Sequence, residues 1–120
     1  MAPVEYAWTS FSGNAVACEF FSSDNSGTAD RRFHPTQKPV ALYEWLYSRF
    51  ARNGYKILDT HLGSGSSRIA AKHMGLYFVG CEIDETYFML QEERWERENA
   101  QVTIALEPPP LSEQQSMNFD

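Results

Sequence analysis

The sequence predicts an α/β fold: a partial Rossmann-like sheet with an antiparallel hairpin in front of it. Three observations carry this expectation. After residue 55, short apolar runs alternate with stretches of helical spacing; a glycine-containing turn joins the first run to its helix; the second run ends in acids. Strand–helix–strand–helix order implies parallel pairing through right-handed crossovers.

Each element follows from local chemistry. Val4–Phe11 and Ala15–Phe21 are β-branched and aromatic runs around Ser12-Gly13-Asn14, whose Gly and Asn suit a tight turn, so residues 4–21 read as a hairpin. Ser22–Asp30 is a polar loop without apolar period, and Arg31–Lys38 is an irregular basic segment. Pro39 suits the first turn of a helix in which Val40, Tyr43, Leu46, Tyr47 and Phe50 recur at helical spacing, with Gly54 closing it. Tyr55–Leu58 is a buried strand ending at Asp59, Ser66–Met74 a helix closed by Gly75, and Leu76–Ile83 a second buried strand. Asp84 is an N-cap for a helix over 85–99 that presents Tyr87, Phe88, Leu90 and Trp95 on one face. Val102, Ile104 and Leu106 alternate as a last strand would, before Pro108-Pro109-Pro110. The expected organisation is one domain over residues 1–107 (hairpin 4–21, loop 22–30, core 31–107) and a tail over 108–120.

With 42% hydrophobic and 14% aromatic residues in 120, the chain is globular and large enough for a core. No apolar run approaches the ~20 residues that span a bilayer, and no basic-then-apolar leader pattern opens the chain, so a cytoplasmic protein without membrane partners is expected. Cys18 and Cys81 sit singly in apolar stretches and read as reduced core residues. The net charge of −6 is uneven: residues 31–56 are basic and residues 82–107 acidic. An acidic chain does not grip a phosphate backbone, so a DNA substrate would be held mainly elsewhere.

The informative unit is Asp59-Thr60-His61-Leu62-Gly63-Ser64-Gly65-Ser66-Ser67. Glycines at a strand-to-helix turn let a ligand approach the backbone, and the helix start offers free amides. Glu82, about twenty residues on, can accept both ribose hydroxyls of an adenosine. A Gly-x-Gly turn alone serves a dinucleotide, a methyl donor or no ligand at all. Arg68 stands where the dinucleotide fingerprint wants a small residue, which disfavours a dehydrogenase.

Upstream lies Phe33-His34-Pro35-Thr36-Gln37-Lys38-Pro39. With that segment followed by a helix and then the glycine loop, the chain resembles the DNA N6-adenine/N4-cytosine methyltransferases whose cofactor motifs follow the catalytic motif. The resemblance covers roughly residues 31–98 and departs at Thr60 and His61, where many members have Pro and Phe. It implies a methyltransferase sheet that binds S-adenosylmethionine. Thr36 and Lys38 would lie near the methionine carboxylate. Amides of Leu62, Gly63, Ser64, Gly65 and Ser66 would line the methionine end, Asp59 would face the cofactor amine, and Glu82 would hold the ribose. Each has an ordinary reading too: Asp59 as a turn cap, Lys38 as a solvated charge, Glu82 as a helix-start charge.

The family positions its acceptor amine with an Asp/Asn/Ser-Pro-Pro-aromatic tetrapeptide, which the sequence does not contain. Glu107-Pro108-Pro109-Pro110 lacks the aromatic and falls after the cofactor motifs. By family order the strands bearing the tetrapeptide would precede Met1. The expectation is therefore the cofactor-binding part of a DNA amino-methyltransferase, inactive alone. It would meet DNA through a separate half, as a homo-oligomer or beside a companion subunit carrying the catalytic motif. The rival expectation is a non-catalytic cofactor-binding or interaction protein derived from such an enzyme. His34, His61 and His73 have no metal-ligand spacing, so no metal site is expected. Trp8, Trp45 and Trp95 read as core or interface anchors, and Glu92–Arg97 as a solvated helix face.

Overall fold

The computed structural model describes residues 5–19 and 32–106, with backbone only for 102–106. The order of elements is α1 (Val40–Phe50), β1 (Lys56–Asp59), α2 (Ser66–His73), β2 (Tyr77–Gly80) and α3 (Glu85–Leu106). β1 and β2 pair in parallel, Lys56 opposite Tyr77 through Asp59 opposite Gly80. The α/β class and parallel crossover expected from the sequence are therefore present. The expected tail and the loop 22–30 lie outside the described residues.

The antiparallel hairpin is not formed. Residues 5–19 contain no strand, only bends at Ser10, Phe11 and Gly13, and every one is exposed; the remaining ends of the proposed hairpin, residues 4, 20 and 21, lie outside the described part. The segment instead runs beside α1: Glu5 pairs with Lys38 just before the helix, and Phe11 stacks on Phe50 at its last turn, rings 5.0 Å apart and 17° from parallel. A two-stranded hairpin is marginal without a third layer, and here α1 takes Phe11. Trp8 is 89% exposed, so it is no core anchor of this chain.

α1 starts after Pro39 and stops at Ala51, whose backbone is extended. Gly54 does not close it; Gly54 turns the chain three residues later, where the Tyr55 amide bonds the Arg52 carbonyl. α2 is the core helix, with Ile69, Ala70 and Ala71 buried; the small side chains let it lie close to both α1 and β2. Its end is a Schellman motif: the Leu76 amide bonds Ala71 O at 2.9 Å and the Gly75 amide bonds Lys72 O at 3.1 Å, with Gly75 at φ 66°.

α3 is capped by Asp84, whose Oδ1 accepts from the Tyr87 amide at 2.9 Å. It runs on to Leu106, so residues 102–106 are helix and not the expected last strand. Extending an existing helix adds a hydrogen bond per residue, whereas an alternating run needs a partner strand to pair with. The inward face of α3 also differs in phase from the expected one. Tyr87, Leu90, Gln91, Arg94 and Trp95 turn inward, while Phe88 is exposed.

The sheet is covered on one side. Ile57 and Phe78 are half-buried, whereas Leu58, Tyr77 and Val79 on the other face are 67%, 66% and 62% exposed. Cys81, just past β2, and Cys18 are both exposed and free, not core residues. Among the described residues, no helix is long and apolar enough to cross a membrane.

We predict that Gly75→Ala destabilises the chain by about 1 kcal/mol, because a Cβ is disfavoured at left-handed φ. Gly75→Asn should cost less, since Asn tolerates that conformation. Nothing lies within 4 Å of the added Cβ, so steric crowding does not contribute. Urea titrations of the three proteins check the ranking; equal midpoints would remove the Schellman glycine from the account.

Candidate functional site: the glycine loop and Glu82

The pairing of β1 with β2 continues beyond both strands. The Cys81 amide bonds Asp59 O at 2.8 Å, and the Leu62 amide bonds Cys81 O at 2.9 Å. One residue further, Glu82 Oε2 accepts from the Gly63 amide at 2.7 Å. Oε1 accepts from the Asp84 amide at 3.0 Å. Glu82 is thereby fixed against the glycine loop by both oxygens, with each oxygen keeping acceptor capacity. The amides of Asp84 and then Gly63 hold its carboxyl below the usual glutamate range, with His34 adding a smaller pull in the same direction.

The loop is a tight turn, closed by the Gly65 amide on Leu62 O at 3.0 Å. Gly63 at φ 54° followed by a residue of negative φ has the signs of a type II′ turn, which calls for Gly at its first central position. Gly65, at φ 77°, is the cap of α2; a Cβ there would meet Gln91 Oε1 at 3.1 Å. Leu62, Ser64 and Ser66 are buried. Among the described residues, no partner takes the backbone amides of Ser64 and Ser66.

Asp59 is engaged by its own loop. Its Oδ1 accepts from the His61 amide at 3.0 Å and its Oδ2 from Ser67 Oγ at 2.5 Å. Tyr47 donates to Ser67 O at 3.3 Å. Burial first, and the Asp59 charge second, push the Tyr43 and Tyr47 hydroxyls up from the ordinary tyrosine value.

The basic segment meets the loop by its backbone. Ser66 Oγ donates to Lys38 O at 2.7 Å, and the His34 ring lies over Gly63 while meeting the Tyr87 ring at 4.3 Å. The side chains named beforehand point elsewhere: Lys38 Nζ bonds Glu5 at 2.6 Å, and the exposed Thr36 hydroxyl lies 3.1 Å from His34 Nδ1. The structure thus brings together Asp59, Leu62–Ser66, Glu82 and the Lys38 carbonyl. It leaves the Thr36 hydroxyl and the Lys38 ammonium outside that cluster.

Sequence reasoning missed three residues here. Arg94, expected on a solvated face, is 2% exposed and donates from Nη1 to Ser64 O at 2.9 Å and to Ser66 Oγ at 2.8 Å. Gln91 is 1% exposed behind Gly65. His34 covers Gly63. The spacing Tyr87–Gln91–Arg94 was the available signal for the first two, since i, i+4, i+7 share a helix face whatever their polarity. Arg68 explains the departure from the dinucleotide pattern in physical terms. It reaches across to α3, pairing with Glu92 at 2.5 Å and stacking 4.0 Å over Trp95. The Gln91 amide and then Arg68 hold the Glu92 carboxyl below its usual range. A cavity of about 390 Å³ between the 9–16 segment and the end of α1 includes none of the loop residues.

A glycine turn between β1 and α2, with a carboxylate fixed beside it just past β2, is the arrangement of an α/β sheet of the Rossmann-like kind. The family model for DNA methylase matches residues 7–93, and the chain belongs to that family. It is 38% identical over 66 residues to the type II methyltransferase M2.DpnII of Streptococcus pneumoniae, covering 55% of this chain and 25% of that protein. It is 35% identical over 78 residues to the type II methyltransferase M.HpaI of Haemophilus parainfluenzae, covering 65% of this chain and again 25% of the relative. The chain therefore spans about a quarter of these relatives. The crystal structure of the M1.HpyAVI–SAM complex is similar too, with TM-score 0.51 and 34% identity over 53% of this chain and 32% of that one.

The depressed Glu82 pKa has a sign. Stabilisation from the ionised carboxylate is complete above the ordinary glutamate value and is lost as pH falls through the lower folded value. Glu82→Gln should therefore melt below the wild type at neutral pH, with the gap narrowing over that acid window. Thermal melts across a pH series check it; parallel pH curves would show that the Gly63 and Asp84 bonds do not depend on the charge.

Proposed function

We propose that this chain is the S-adenosylmethionine-binding part of a DNA amino-methyltransferase acting on N6 of adenine or N4 of cytosine. The observation that carries the reading is the Glu82 carboxylate, anchored to the Gly63 and Asp84 amides beside a buried helix start. Its spare acceptor capacity suits the two hydroxyls of a ribose. The amides of Ser64 and Ser66, at the N-terminus of α2, suit the carboxylate of an amino acid. One ligand with both groups is an adenosine linked to an amino acid, and when bound it supplies a methyl group on a sulfonium. Membership of the DNA methylase family and likeness to a relative crystallised with SAM support the same ligand.

Within this reading Glu82 orients the ribose, and Leu62, Gly63, Ser64, Gly65 and Ser66 line the methionine end. Asp59 sets the loop through His61 and Ser67 and faces the cofactor amine. Thr36 and Lys38 belong to the segment flanking the carboxylate; the Lys38 ammonium would exchange Glu5 for the ligand, a change of partner between two anions. The domain division is a cofactor-binding unit over residues 1–107 followed by a tail.

The acceptor amine needs a hydrogen-bonding side chain and a stacking aromatic, and these 120 residues hold no Asp/Asn/Ser-Pro-Pro-aromatic tetrapeptide. We infer that this chain alone transfers no methyl group, that a companion polypeptide carrying the motif completes the site and grips DNA, and that the chain also self-associates. The open sheet face at Leu58, Tyr77 and Val79 supports such an assembly, since apolar β surface is ordinarily covered.

Titration calorimetry should detect S-adenosylmethionine binding, and Glu82→Ala should weaken it by about 1–3 kcal/mol through loss of charge-assisted bonds. Binding of NAD instead would overturn the reading. Radiolabelled methyl transfer to unmethylated genomic DNA should be nil for the chain alone. Incorporation would mean that other residues position the amine. Light scattering at tens of micromolar should give more than one chain's mass, and a strict monomer would count against self-association.

A further inference from the structure

Arg94 and Gln91 are the largest fully buried side chains among the described residues, and both stand behind the glycine loop. A guanidinium is costly to remove from water unless its donors are used. Arg94 uses Nη1 on two loop oxygens, Ser64 O and Ser66 Oγ. The same Ser66 Oγ donates to Lys38 O, so one hydroxyl ties α3 to the loop and to the segment before α1.

The peptide between Ser64 and Gly65 is consequently held at both ends. Its carbonyl accepts from Arg94 and its N–H donates to Leu62 O. A peptide plane gripped at both poles cannot rotate, and this fixes the neighbouring amides of Ser64 and Ser66. Glu82 is bound to a different part of the loop, the Gly63 amide, whereas Arg94 bonds the Ser64 carbonyl. The two halves of the site therefore have separate supports.

We propose that Arg94 is the positioning residue of the amino-acid end of the cofactor site: from behind the loop it aims the Ser64 and Ser66 amides at the ligand carboxylate. The proposal rests on the S-adenosylmethionine reading above. It assigns the adenosine end to Glu82 and the amino-acid end to the loop that Arg94 holds. A purely structural arginine would loosen both ends together; a positioning arginine affects one.

The test is titration calorimetry on the full chain with two probes. S-adenosylhomocysteine carries both ends, and 5′-methylthioadenosine carries only the adenosine. Arg94→Met should bind S-adenosylhomocysteine at least about tenfold more weakly while 5′-methylthioadenosine stays within about twofold of wild type. Arg94→Lys should recover part of the loss. Ser66→Ala should lose affinity for S-adenosylhomocysteine to a smaller extent. Should Arg94→Met not fold, Arg94→Lys and Ser66→Ala make the same comparison. Equal weakening of both probes, or weakening of neither, overturns the proposal. A wild-type chain that binds neither probe overturns the cofactor reading instead.

Discussion

Parallel pairing of β1 with β2 extends past the strand ends, and the site is built on that extension. Cys81 bonds Asp59, Leu62 bonds Cys81, and Glu82 then meets the Gly63 amide. Each bond follows from the register that sets Asp59 opposite Gly80. A slip of one residue would send Glu82 to the opposite face and leave the loop amide without its acceptor. Residues nineteen positions apart are thus placed within hydrogen-bond reach by backbone geometry, and side-chain packing only refines the result.

What refines it is mostly polar. The helix α2 has small apolar residues toward the sheet, but the loop at its start is backed by Gln91 and Arg94 from α3. Asp59, Ser67 and Tyr47 form a second support beneath it. A loop that must offer its amides to a ligand has to keep its carbonyls occupied elsewhere, because unpaired buried carbonyls are unfavourable. Arg94 meets that need for Ser64, and the Gly65 amide meets it for Leu62. α3 accordingly meets the loop through two polar side chains, Gln91 and Arg94, and not through an apolar stripe.

The remaining sheet face is a different kind of surface. Leu58 and Val79 are partners in the ladder, and both are exposed beside Tyr77. Parallel sheets are ordinarily covered on both faces, and the chain matches only a quarter of the length of two family relatives. The site and the open face lie on the same pair of strands. Val79 precedes Glu82 by three residues, about 10 Å along an extended chain, so the open face and the site are neighbours.

The sequence by itself determined the elements whose signals are local. Helical spacing over residues 40–50, the short apolar runs at 55–58 and 76–83, the glycine turn, the Asp84 cap and the Gly75 stop all appear near where their chemistry put them, although the second strand stops at Gly80 and both strands, expected to be buried, expose one face. Glu82 was legible because a strand end next to a glycine turn constrains its neighbours through the ladder alone. The tertiary structure decided whatever depended on a second surface. Residues 5–19 follow α1 and not each other, because a hairpin needs a layer beneath it, and Phe50 of α1 and Lys38 just before the helix are the partners instead. Residues 102–106 stay helical because, among the described residues, no strand stands ready to pair with them. Arg94 and Gln91 are buried because the inward face of α3 meets the Ser64 carbonyl, the Ser66 hydroxyl and a glycine, where a donor satisfies what an apolar side chain would leave unpaired. Hydropathy marks which residues avoid water. It carries no record of which carbonyls need a partner, and only the folded loop supplies that information.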